Sequence, residues 1–284
     1  MIEYAGIGAK ACDCLYSEES TRPPTASNLR DSVEFFQYRL EQWQRKIPTE
    51  FQFTYGDIDS NKKIHLIRTI LHLRANHLRL LIFRPCLCSN ASFAPDVNLW
   101  TMAVNAACDS IQVLVQLWNT SDIYCQHHAQ FNFFLMTAFG VLTLRLTKDQ
   151  SSELSEGAFG STVPQVMQTA SQNARRGVLC ALNLLRMVSQ CSHPSTRLWV
   201  WASALGYRLK LLGILTPDYA FQMDTDPLDS LMELPRSSLD FEDPSAARNL
   251  MTTLDDKDGA RSILGELDDI FTFDLGSSSQ PPVA

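Results

Sequence analysis

The longest uninterrupted apolar run falls far short of the roughly 20 residues that a membrane-spanning helix needs. The opening stretch, MIEYAGIGAKACDC, lacks a charged segment leading into an apolar one, so neither a secretory signal nor a membrane partner is expected. Charge is scarce as well. Only 19% of residues are charged while 45% are hydrophobic, which argues for a body that buries a core rather than for a disordered chain. Period-two alternation is missing, which argues against a sheet. So are the short motifs that announce common chemistries. There is no Gly-rich phosphate loop, no G-x-S-x-G, no H-E-x-x-H and no C-x-x-C. The chain is therefore expected not to be an enzyme and to hold no cofactor.

What the chain does have is helical periodicity. Asn28, a suitable N-cap, opens a stretch in which Leu29, Val33, Phe36, Leu40 and Trp43 recur at three- and four-residue steps until Pro48 stops it. Residues 61–83 form the strongest pattern, with Ile67, Ile70, Leu71, Leu78, Leu81 and Ile82 on one face, and Arg84-Pro85 is expected to end it. A third helix is predicted over 96–118, with Ala103, Ala106 and Ala107 permitting close approach of a neighbour. A fourth, over 128–146, is apolar on nearly every side and should be central. After a polar break, TKDQSSELSEGAFGS, two more are predicted over 163–191 and 195–212, with Gly213 and Pro217 as stop signals. The expected fold is all-α: a bundle-like body of about six long helices over 28–217, preceded by a flexible segment, 1–27.

Charge divides the chain further. Residues 218–284 hold 15 acidic and 4 basic side chains, leaving 16 acidic and 20 basic for the rest. An acidic, largely disordered tail with its own role is expected. Near its end Leu267, Ile270, Phe271, Phe273 and Leu275 sit among Glu266, Asp268, Asp269 and Asp274. Carboxylates keep such apolar groups in water until they dock, folding on contact, into a partner's groove. These five apolar residues are the candidate coactivator-binding set.

Other candidates are weaker. His65, His72 and His77 share one helix but lack a ligand between the first two, so a solvated or partner-facing stripe is expected rather than a metal site. His127 and His128 beside Cys125 point apart, and Cys86 and Cys88 read as thiols flanking a loop after Pro85. All eight cysteines are expected to be reduced. A calcium-loop alignment on Gly259 places Leu254 and Gly265 where carboxylates are required, and Asp268-Asp269 lacks the third acid of a magnesium-binding helix. Lys62, Lys63, Arg68, Arg74, Arg79 and Arg84 scatter around their helix instead of forming a phosphate-reading stripe. An alternative reading, a ligand-sensing or scaffold protein without DNA-binding activity, would place a pocket between helices bearing Trp100, Trp118, Trp199 and Trp201.

The segment LHLRANHLRLLIFRPCL, 71–87, resembles the fungal-specific transcription factor domain, the middle homology region of zinc-cluster regulators. In that family a helix of the type L-x-L-x-x-x-x-L-x-x-L-L-x-R-P ends at an Arg-Pro pair. Leu71, Leu73, Leu78, Leu81, Ile82, Arg84 and Pro85 occupy the matching positions, in structural roles. The helices after it, AVNAACDSIQVLVQLW and 131–146, resemble the following family segments, so the likeness spans roughly 28–215. It implies a transcription regulator of fungal metabolic or secondary-metabolite genes, located in the nucleus, with coactivators as partners and a homo- or heterodimer contact left open. Zinc would belong to the family's six-cysteine DNA-reading module. Here only Cys12-Asp13-Cys14 stands near the N-terminus, without a basic run, so DNA would be reached indirectly or through a missing module.

Overall fold

The structure, a computed structural model, describes residues 2–16, 26–56, 61–88, 97–155 and 165–215. About 90% of the described residues are helical and none is in a strand. The elements are α1 (Ile2–Tyr16), α2 (Ala26–Arg45), α3 (Lys62–Cys88), α4 (Val97–Thr120), the short α5 (Ile123–Gln126), α6 (His128–Ser155), α7 (Gln165–Val188) and α8 (His193–Leu211). Single 3-10 turns cover Thr49–Phe51 and Ser189–Cys191. The six predicted long helices are all present. The described residues fall into two compact units, one of residues up to 146 with 165–199, the other of 147–155 with 200–215. The expected tail, 218–284, lies outside the described residues.

In the first unit α1 packs on α2 and α3, α3 on α4, and α4 most extensively on α7. Small side chains make the last contact close: Ala103, Ala106 and Ala107 of α4 and Ala170, Ala174 and Ala181 of α7 are all buried. Gly177 shows how little room is left. A Cβ there would stand 2.5 Å from Leu142 Cδ1 and 3.0 Å from Cys108 Sγ.

Helix α6 supplies the bulky part of the core. Phe131, Phe134, Leu135, Phe139, Leu142, Leu144 and Leu146 are buried along it. Its stretch His128–Asp149 is long and apolar enough to cross a membrane, although no uninterrupted apolar run in it is long, and an 18-residue window of it is 83% buried inside the protein. The buried hydroxyls of Thr137 and Thr143 turn back to the carbonyls of Phe133 and Phe139, so they need no outside partner. The buried Arg145 guanidinium lies 5.2 Å from the centre of the Trp100 ring, a cation–π pair between α6 and α4.

Three boundaries differ from expectation. Residues 1–27 were expected to be flexible, but α1 occupies Ile2–Tyr16 and buries Ile7 and Ala11. Ala26 begins α2, so Asn28 lies inside it rather than capping it. The supposed polar break after Leu146 continues α6 to Ser155.

The fourth difference is at Pro85, which does not end α3. The helix runs through it to Cys88, and Cys86 and Cys88 belong to its last turn rather than to a loop. Proline has no N–H, so the carbonyl four residues back, that of Leu81, loses its helical partner. The Tyr16 hydroxyl replaces it, donating to Leu81 O at 2.7 Å. Arg84 lies 5.9 Å from the centre of the same Tyr16 ring. At the other end of α1 the Tyr4 hydroxyl donates to Arg74 O at 3.0 Å while its ring packs on Trp43 at 5.0 Å. Two phenols thus fasten α1 to the backbone of α3.

The described part of the second unit consists of Thr147–Ser155 and Val200–Leu211 with the turn that closes α8. Gly213 adopts φ +71°, its N–H donates to Lys210 O, and the N–H of Ile214 donates to Leu209 O. This paired bonding requires a left-handed residue, which glycine supplies without a Cβ clash.

If Tyr16 stands in for the amide that Pro85 lacks, the two positions are energetically coupled. Tyr16→Phe should cost about 1 kcal/mol in urea unfolding. In a Pro85→Ala background, where the amide is restored, the same change should cost close to nothing.

Candidate functional site

The predicted residues are spread through the first unit rather than gathered at one cleft. Leu73, Leu78 and Ile82 are fully buried, while Leu71, Leu81, Arg84 and Pro85 are half-buried. Ile67, expected on the inner face, is 42% exposed. Leu267, Ile270, Phe271, Phe273 and Leu275 lie outside the described residues. Cys12 and Cys14, two positions apart on α1, project from different sides of the helix and do not fit a shared zinc ion. Among the described residues no group of three or more His, Cys, Asp or Glu side chains is arranged to hold a metal.

Two of the four tryptophans do not share one pocket. Trp100 and Trp118 are both on α4, and 18 residues of helix at 1.5 Å each separate them by about 27 Å. Trp100 is covered by Arg145, and Trp118 meets Tyr124 edge-on at 5.7 Å. Two cavities, of about 290 and 300 Å³, open elsewhere: one beside Ile7, Lys10, Phe35 and Arg39, the other beside Gln37, Tyr38, Glu41 and Met102.

The histidines of α3 are not a solvated stripe. His65 is buried, and His77 packs between Phe133 and Phe134 of α6, with ring centres 4.8 and 5.9 Å away. Burial among these rings disfavours the charged imidazolium and lowers His77 to about 4.

His72 belongs to a polar cluster built on Asp109 of α4. Its Nε2 lies 2.6 Å from Asp109 Oδ2, and because a carboxylate can only accept, that nitrogen carries the hydrogen. Asn76 Nδ2 donates to the same oxygen at 2.5 Å, and the Tyr55 hydroxyl donates to Oδ1. The remaining end of Asn76, Oδ1, accepts from Arg79 Nη1 at 2.8 Å, and Arg79 Nη2 donates to Gln44 Oε1 at 2.8 Å. Phe53 lies on the His72 ring with centres 4.6 Å apart. Burial works to raise the Asp109 carboxyl, but the bonds from His72 and Tyr55, the His72 charge and the Asn76 bond together hold it below the usual carboxylate range. Burial and the Asp109 bond push the Tyr55 phenol well up.

An aspartate–histidine pair can serve as a general base, provided a substrate reaches it. Phe53 covers one face of the His72 ring, and the His72 and Asp109 side chains remain 23% and 30% exposed. The arrangement ties the chain after α2 to α3 and α4, helped by Arg68 Nε donating to Glu50 O at 2.7 Å. Sequence reasoning missed it, although His72, Asn76 and Arg79 fall at i, i+4 and i+7 on one helix face. A second missed pair is Cys125 and Cys191, whose sulfurs stand 3.1 Å apart.

No family model matches the chain, and neither a curated protein nor a solved structure matches it.

Two outcomes follow. Asp109→Asn puts an amide among three donors and should cost roughly 2–3 kcal/mol, with faster proteolysis in residues 49–56 as the local readout. Acid should act in two steps with the same sign. His77 binds its proton at about 4 when folded and at about 6.5 when unfolded, so stability falls as pH drops across that interval, by roughly 3 kcal/mol in all. Asp109, depressed when folded, contributes fully above about 3.9 and loses its contribution as pH falls further. Urea midpoints against pH should show the first step vanish in His77→Phe.

Proposed function

We propose that this protein is a non-enzymatic transcription regulator, with a helical body that mediates regulation and an acidic tail that recruits coactivators. The single observation that carries this reading is the charge division. Residues 218–284 hold 15 acidic and 4 basic side chains, with Ile270, Phe271 and Phe273 set among Asp268, Asp269 and Asp274. Such a segment stays soluble while its apolar groups remain open to a partner. The likeness of 71–87 to the fungal regulator helix, from Leu71 to Pro85, adds the nucleus and metabolic or secondary-metabolite genes as the setting. DNA would be reached through a separate module or through a partner. The alternative, a ligand-sensing or scaffold protein, would need a pocket other than one shared by Trp100 and Trp118, which stand at opposite ends of α4.

Residues 218–284 fused to an unrelated DNA-binding domain should activate a reporter gene. Phe271→Ala with Phe273→Ala should reduce that signal roughly tenfold, as expected for loss of aromatic anchors. Absence of activation at unchanged expression would remove the tail from the mechanism.

A further inference from the structure

We propose that Cys125 and Cys191 form a dithiol site that closes into an intramolecular disulfide on meeting a small-molecule disulfide. Cys125 lies in α5, and Cys191 ends the 3-10 turn that follows α7, 66 positions later. Their sulfurs are 3.1 Å apart, about 1 Å beyond a disulfide's bonded length of ~2.05 Å.

Access differs between the two thiols and sets the order of events. Cys125 is exposed, whereas Cys191 is half-buried. Burial, together with the hydrogen bond and charge of Cys125, raises Cys191 to about 11, so Cys191 stays protonated in neutral solution. The Cys125 thiolate attacks one sulfur of the reagent, its S–S bond breaks, and one small thiol leaves and takes up a proton. Capping removes the hydrogen bond and charge through which Cys125 disfavoured the Cys191 thiolate. Cys191 then gives its proton to solvent and attacks Cys125 Sγ, expelling the second small thiol. Two protein thiols are oxidised by two electrons, and one disulfide is reduced to two thiols.

The bond would sit at a junction of helices. Tyr124, the residue before Cys125, is fully buried, and its hydroxyl donates to Asn132 Oδ1 of α6 at 3.1 Å. Asn132 Nδ2 donates to Ser195 Oγ at 2.8 Å, in the first turn of α8. Ser192 and Ser195 share a further bond of 2.9 Å. Crosslinking α5 to the turn before Ser192 closes a long loop around this relay, which a thiol reductant would reopen.

The full-length chain, first reduced, is incubated with glutathione disulfide. The expected product is two hydrogens lighter by intact mass and yields a peptide linked through Cys125 and Cys191. Its Tm should rise by about 10 °C, as for a crosslink closing a loop of this size, and dithiothreitol should return it. Cys125→Ser and Cys191→Ser should each lose both the link and the shift, and Cys180→Ser should keep them. Glutathione that remains on Cys125 without resolving, or a link between other cysteines in its place, overturns the proposal. The peptide map of the unsubstituted chain decides this even if a serine variant folds poorly.

Discussion

A proline inside a helix strands a carbonyl, and a carbonyl shielded from water has to find a donor. Pro85 strands that of Leu81, and the Tyr16 hydroxyl answers it at 2.7 Å. Much of the first unit's architecture follows from this bond. For a phenol to arrive there, α1 must be helical and laid against α3, which places Ile7 and Ala11 in the core and brings Tyr4 onto Trp43. Helix α1 carries Gly6 and Gly8, each costing about 1 kcal/mol against alanine in a helix, so it persists because it is docked. The ion pair between Glu3 and Lys46 that accompanies the docking is exposed and adds little.

The other side of the unit is organised by side-chain size. Alanines on α4 and α7 bring those two helices together, while buried phenylalanines and leucines on α6 supply bulk to the core. Gly177 marks where the two regimes meet, because α7 must clear both Leu142 and Cys108 at one residue. Several of the polar atoms this core encloses are handled locally, by threonines bonding within α6 or by the Tyr124–Asn132–Ser195 chain. Each buried polar group with a partner avoids a desolvation cost that few apolar contacts could offset.

Six helices were legible because their apolar residues recur at helical period, and α7 is the plainest instance. The first helix was not, since glycines and a cysteine occupy positions where larger apolar residues would have marked a face. The end of α3 was misread for a different reason. Proline predicts a stop when nothing replaces its missing bond, and the replacement lies 65 residues away in sequence. Distance in sequence also hid the two side-chain clusters. One helix face carries His72, Asn76 and Arg79 in plain view, but their partners Asp109, Tyr55 and Gln44 arrive from three other segments. Cys125 and Cys191 are brought together in the same way.

These internal partnerships bear on what α3 can offer a polyanion. A helix that reads phosphates keeps its cations in solvent along one face, where released counterions drive binding. On α3 four of the cations are already engaged. Lys62 pairs with Asp122, Arg68 with the Glu50 carbonyl, Arg79 with Asn76 and Gln44, and Arg84 lies against Tyr16. Burial itself disfavours the charge of Arg79, which is held in place by the acids around it. Releasing these side chains to bind phosphate would undo the latch at Asp109 and the docking of α1. These side chains therefore help to hold the body together.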